Sequence, residues 1–117
     1  MANTKYKIKG NNKIPGYDSE IEIEVDSKYE AYSKDIPEPT QYQGFTITWF
    51  NSFGVRNKST GKNAKATYKV KLKKLPSGKR LFALYGGEVH ELVTTDVGNG
   101  NIKFSLNVGD PPVGSGP

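Results

Sequence analysis

The sequence predicts an all-β chain folded as a two-sheet antiparallel β-sandwich of about seven strands. Three observations carry this. Glu20-Ile21-Glu22-Ile23-Glu24-Val25-Asp26 alternates acid with β-branched apolar residues, and Tyr68-Lys69-Val70-Lys71-Leu72-Lys73 alternates base with apolar. A period of two gathers the apolar groups on one face of a strand and the charges on the other, whereas a helix would scatter the charges around its circumference. Third, turn-forming clusters interrupt the apolar runs at roughly 8–12-residue spacing, the cadence of an all-β sandwich.

Tyr6-Lys7-Ile8-Lys9 opens the chain as a strand that ends at Gly10, and Asn11 to Gly16 is turn-rich. The acidic strand follows. Ser27 to Gln43 reads as the least regular stretch, because Pro37 and Pro39 cannot donate to a central sheet ladder; a short helical turn fits only near Tyr29 to Tyr32. Phe45-Thr46-Ile47-Thr48-Trp49-Phe50 is rich in β-branched and aromatic residues and reads as a strand, and Asn51 to Asn63 reads as a polar loop. Ala66 to Leu75 is the basic strand. Arg80 to Tyr85 turns at Gly86-Gly87 into Glu88 to Thr94, and Asn99-Gly100 predicts a tight hairpin into Asn101 to Val108. Residues 109–117 (GDPPVGSGP) read as a Pro/Gly-rich, linker-like tail on a domain spanning residues 1–108.

With 117 residues, the chain has the length of one domain, and its 34% hydrophobic content suits thin layers whose sheets each keep a wet face. The net charge is +5, carried mainly by lysine; Arg56 and Arg80 are the only arginines. Lysine keeps a β protein soluble and its edges unpaired, while arginine is the residue favoured for bidentate phosphate contacts. Cysteine is absent, which excludes disulfides, thiolate metal sites and thiol catalysis. No apolar run reaches the roughly 20 residues of a membrane-spanning helix, and Met1-Ala2-Asn3-Thr4-Lys5 leads into the first strand without a signal-peptide pattern.

In the last forty residues, Arg80-Leu81-Phe82-Ala83-Leu84-Tyr85, then Gly86-Gly87-Glu88-Val89-His90-Glu91-Leu92, then Asn101-Ile102-Lys103-Phe104-Ser105-Leu106 follow one another. This cadence resembles the closing hairpins of immunoglobulin-like modules in bacterial and archaeal surface proteins. The resemblance covers the C-terminal third and implies an immunoglobulin-like sandwich in a secreted or surface-displayed, non-catalytic module. It transfers no binding residues. A five-stranded barrel is the alternative architecture.

Catalytic chemistry finds little footing. His90, the one histidine, falls mid-strand opposite Val89 in the alternation, where it reads as a surface residue. The serines lie outside any strand–turn–helix elbow, so no hydrolase triad is expected. Glu20, Glu22 and Glu24 share one face about 7 Å apart, but a row of acids opposite a row of lysines accounts for them. Asp18, Asp26, Asp35, Asp96 and Asp110 show no calcium-loop spacing. Ser59-Thr60-Gly61-Lys62 lacks the spacing of a phosphate loop. No catalytic residue, metal ligand or cofactor is expected.

The better lead is aromatic. Tyr29, Tyr32 and Tyr42 fall in the irregular segment, Trp49 and Phe50 must point to opposite faces of one strand, and Phe53 follows closely. Exposed flat rings stack on sugars and anchor protein partners. The candidate ligand-binding set is therefore Tyr29, Tyr32, Tyr42, Trp49 and Phe53, with a polysaccharide or protein surface as partner. A nucleic-acid reading would use Lys69, Lys71 and Lys73 along a barrel face, but an acidic strand in the same sheet would repel phosphate. The expectation is an extracellular, cell-surface or virion-exterior module for adhesion, carbohydrate contact or spacing. It acts as a monomer or within a larger assembly. A virion structural protein and an oligonucleotide-binding barrel are the alternatives. The charge alternation also makes a structural prediction: Glu22 and Lys71 belong to neighbouring strands of one sheet.

Overall fold

A computed structural model describes residues 2–63 and 66–117; Met1, part of the signal-peptide reading above, lies outside them. Eleven strands are present among the described residues, and no helix: β1 (Asn3–Ile8), β2 (Ile21–Asp26), β3 (Tyr29–Ser33), β4 (Thr40–Tyr42), β5 (Phe45–Asn57), β6 (Tyr68–Lys73), β7 (Arg80–Tyr85), β8 (Glu88–Glu91), β9 (Thr95–Gly98), β10 (Asn101–Leu106) and β11 (Pro112–Gly116). They form two antiparallel sheets, ordered β1-β2-β6-β10-β9 and β3-β5-β11-β7-β8, with β4 pairing β5 at its start. Both sheets keep free edges, so the molecule is a β-sandwich and not a closed barrel.

The charge alternation does what it predicted. The β2–β6 register sets Glu22 against Lys71 and Glu24 against Lys69, and on the other side of β2 Lys7 faces Glu22 and Lys5 faces Glu24. Lys71 Nζ lies 3.6 Å from Glu22 Oε1. The apolar partners of the same strands, Ile21, Ile23, Val25, Val70 and Leu72, are all buried in the main core. Opposite-charge neighbours across strands add about 0.2–1 kcal/mol each, so they favour this register while burial of the apolar face supplies most of the stabilisation.

The main core lies between the sheets, where Phe50, Phe53, Val55, Leu81 and Val113 meet the inner faces of β2, β6 and β10. Two phenols anchor its rim: Tyr17 donates to the Lys73 carbonyl at 2.6 Å and Tyr68 to the Val108 carbonyl at 2.8 Å. Burial holds both well above the ordinary tyrosine range, so they remain donors. A second cluster (Ile47, Trp49 and Phe82) lies on the opposite face of the six-stranded sheet. Ile36, Tyr42, Phe45, Leu84 and Val89 pack around it.

Four sequence expectations are corrected. The strand expected to stop at Phe50 continues to Asn57, because Phe53 and Val55 keep feeding the core and the side-chain NH2 of the buried Asn51 finds acceptors inside it, while its Oδ1 has no partner among the described residues. Its amide donates to the carbonyls of Ile8 (3.1 Å) and Ser19 (2.8 Å). Tyr29 to Tyr32 is strand, not helical turn: Tyr29 to Ser33 pairs with Phe53 to Asn57. The expected strand Glu88 to Thr94 stops at Glu91, and a separate strand, β9, lies beyond it in the other sheet.

The fourth correction is the largest. Residues 109–117 are no linker, since β11 runs through the middle of the six-stranded sheet between β5 and β7. Its glycines permit this. Gly114 sits directly opposite Trp49, and a Cβ there would lie 2.6 Å from the Trp49 ring and 2.7 Å from the Thr48 carbonyl oxygen. A Cβ on Gly116 would lie 2.8 Å from both the Phe45 and Phe82 rings. The missing side chains are the space that the aromatic cluster occupies, which is the positional meaning of glycine inside a strand. Pro111 and Pro112 sit before and at the strand's first residue and Pro117 follows its last, where no ladder donor is required.

Candidate functional site: a hollow beneath a proline arch

One edge of β5 is paired in two places only. β4 covers Phe45 to Ile47 and β3 covers Phe53 to Asn57, leaving Thr48 to Ser52 without a strand partner on that side. Loop residues fill the gap: the Asn11 amide N–H donates to the Phe50 carbonyl (2.9 Å), its side chain to the Trp49 carbonyl (3.2 Å), and the Lys34 N–H to the Ser52 carbonyl (3.0 Å). The chain between β3 and β4 bridges this gap as an arch. Pro37 and Pro39 have no N–H to give to β5, so the segment bows outward instead of zipping on. The base of the arch is tied down by Lys34, whose ammonium lies 3.0 Å from an Asp110 carboxylate oxygen.

Beneath the arch is a hollow of about 200 Å³ lined by Asn11, Lys13, Ile36, Pro37, Glu38, Pro39, Thr48 and Trp49. A second hollow of about 160 Å³ adjoins it through Lys13 and Thr48 and is bounded by Ile14, Pro15, Thr46, Lys79 and Ser115 to Pro117. The two make one interrupted groove in which apolar walls and polar groups are nearly equally represented. Trp49 is buried, and its indole N–H donates to Thr40 Oγ1 at 2.9 Å, which locks the ring in the wall.

The five residues expected to bind ligand are not brought together. Trp49 and Tyr42 belong to the cluster on the outer sheet face, and only Trp49 borders the hollow. Phe53 is fully buried in the main core, edge-on to Tyr68 at 5.6 Å, and is withdrawn as a contact residue. Trp49 is likewise too buried to offer a ring face for stacking. Tyr29 packs on the main core with Lys28 over its ring. Tyr32 lies opposite Gly54 beneath Arg56, whose guanidinium is 4.2 Å from its ring centre. Arg56 also pairs with Glu30 at 2.6 Å. Phe45 and Gly54 are nine residues apart on one strand, about 30 Å, so the Tyr32 and Tyr42 neighbourhoods are separate surfaces.

Sequence reading missed Asn11, Lys13, Glu38 and Thr48. Lys13 and Asn11 looked like ordinary turn residues, and nothing local says that their loop crosses to β5. The Pro37-x-Pro39 spacing was the one available signal. His90 is half-buried and stacks on Tyr85 with 3.8 Å between ring centres, so it is not a free surface imidazole. No cluster of three metal-ligating side chains occurs among the described residues.

Fold and hollow together define a two-sheet antiparallel β-sandwich with a groove on one strand edge. No protein-family model matches the chain, and neither curated proteins nor solved structures yield a match.

Proposed function

We propose that the protein is a non-catalytic β-sandwich module that works by surface contact outside a cell, binding carbohydrate in the groove beneath the Pro37–Pro39 arch. The observation that carries this reading is the pair of adjoining hollows sharing Lys13 and Thr48, each of a size to admit about one sugar ring. Their polar groups are hydroxyl, amide, carboxylate and ammonium, which hydrogen-bond to sugar hydroxyls in both directions, and their apolar walls suit the C–H face of a ring. The resemblance of the C-terminal hairpins to immunoglobulin-like surface modules supports the location.

The test is binding to a glycan array and to insoluble polysaccharides. Glu38→Ala and Lys13→Ala alter exposed arch and loop residues outside both cores, so they should lower glycan affinity about tenfold each while leaving the unfolding midpoint unchanged. Retention by the variants of whatever affinity the protein shows, or absence of glycan binding altogether, would overturn the reading.

A further inference from the structure

The two sides of the sandwich close differently. On one side β1 packs against β3, and Tyr6 donates its hydroxyl to the Tyr29 carbonyl (3.3 Å), sealing sheet to sheet. On the other, residues 92–94 cross from β8 in one sheet to β9 in the other. This crossing carries Val93, 92% exposed, and β9 carries Val97, 44% exposed. They are the exposed large hydrophobics of the described residues.

These valines are not scattered on a flat surface. Val93, Thr95 and Val97 border a hollow of about 280 Å³ with Phe104 and Ser105, and Lys69 and Lys103 stand beside it. The basic side is undercompensated. Glu22 faces Lys71 and Lys7, and Lys103 is set opposite another lysine, Lys71. Glu24 is shared by Lys5, Lys69 and Lys103; its hydrogen bond from Asn3 first, and then these charges, hold it below the ordinary glutamate range. Asp96, the acid on β9, is turned to Lys74 at 3.3 Å.

We propose that this hollow is a docking site for an acidic, apolar-bearing segment of a partner protein. A branched apolar side chain of that segment seats between Val93 and Val97, and its flanking carboxylates reach Lys69 and Lys103. Charge complementarity selects an acidic occupant, since no carboxylate lines the hollow. The exposed apolar area amounts to two valine side chains, enough to seat one partner side chain and too little to anchor the protein in a bilayer. An acidic polysaccharide would satisfy the lysines and leave the valines in water.

The probe is a fluorescein-labelled peptide of alternating glutamate and leucine, titrated against the whole protein and followed by anisotropy and amide NMR shifts. A lysine–leucine peptide, a sulfated polysaccharide and phosphatidylserine vesicles are run beside it. The glutamate–leucine peptide should bind saturably, shift amides at residues 69, 93–97 and 103–105, and lose about tenfold in affinity on Val93→Ser and on Lys103→Glu. Val93 is almost fully exposed, so Val93→Ser leaves the unfolding midpoint in place and reports docking alone. Failure of the acidic peptide to bind, equal binding of the basic peptide, or indifference to Val93→Ser would overturn the proposal. So would lysine-dependent binding confined to the polysaccharide or vesicles, or self-association by light scattering that Val93→Ser abolishes. Glycan binding in the arch groove is read with separate variants, so either site can fail without the other.

Discussion

The outer faces of the two sheets solve the same problem in opposite ways. The five-stranded sheet leaves its outer face wet and covers it with a checkerboard in which lysines of β1 and β6 flank the glutamates of β2. The six-stranded sheet carries Ile47, Trp49 and Phe82 on its outer face and hides them under Ile36 and Tyr42, with Arg80 laid over the Phe45 and Phe82 rings at 5.2 Å each. The first face carries a few weak, salt-screened charge neighbours, of which Glu22 and Lys71 lie within ion-pair distance. The second depends on a few close contacts in a desolvated cluster, where one misplaced methyl is felt. The groove lies beside the second face because only a covered surface needs an arch.

Mutations can break this contrast, and the largest effect should come from the covered face. Trp49→Ala empties the outer cluster and should cost about 3–5 kcal/mol, read as a lowered urea midpoint. Gly114→Ala pushes a methyl into the Trp49 ring and the Thr48 carbonyl and should cost about 1–3 kcal/mol, although alanine is otherwise better tolerated in a strand than glycine. Thr40→Val keeps the shape but leaves the buried indole N–H without its acceptor, an expected loss of about 1–2 kcal/mol.

The wet face should answer more softly. Glu22→Lys places a lysine between Lys7 and Lys71 and should cost about 0.2–1 kcal/mol at low salt, an effect that shrinks in high salt. The smallest signal is a titration. Glu24 is held below its ordinary value of 4.5, first by the hydrogen bond from Asn3. A depressed carboxylate contributes stability that is present above 4.5 and fades as pH falls through the lower folded value. Side-chain NMR should therefore find Glu24 titrating below its ordinary value of 4.5, and Asn3→Ala should move it back up. An unmoved titration would show that the lysines alone hold it.

Much of the five-stranded sheet was legible in the order of residues alone. Strict alternation along Ile21 to Asp26 and Tyr68 to Lys73 specifies strand, buried face and charge partner together, because a one-residue slip would turn every valine and isoleucine to water. The Asn99-Gly100 turn was equally readable: both residues have positive φ (56° and 74°), as a type I′ turn requires. The six-stranded sheet was not readable in this way. β5 changes its inward-facing set at a bulge, where Asn51 and Trp49 pair with consecutive β11 residues and Phe50 is skipped, so its pattern shows no constant period.

The amino-acid sequence by itself determined the class of fold, the register of the charged strands and the absence of thiol chemistry, because these follow from local periodicity and composition. Only the tertiary structure decided that Pro112–Gly116, within GDPPVGSGP, is a central strand. A glycine-rich segment reads as flexible until large rings are brought onto it, and Trp49, Phe45 and Phe82 are remote in sequence from the glycines they cover. The groove is of the same kind. Asn11, Glu38 and Thr48 converge through backbone hydrogen bonds between a turn, an arch and a strand, and no local pattern records a meeting of parts so far apart along the chain.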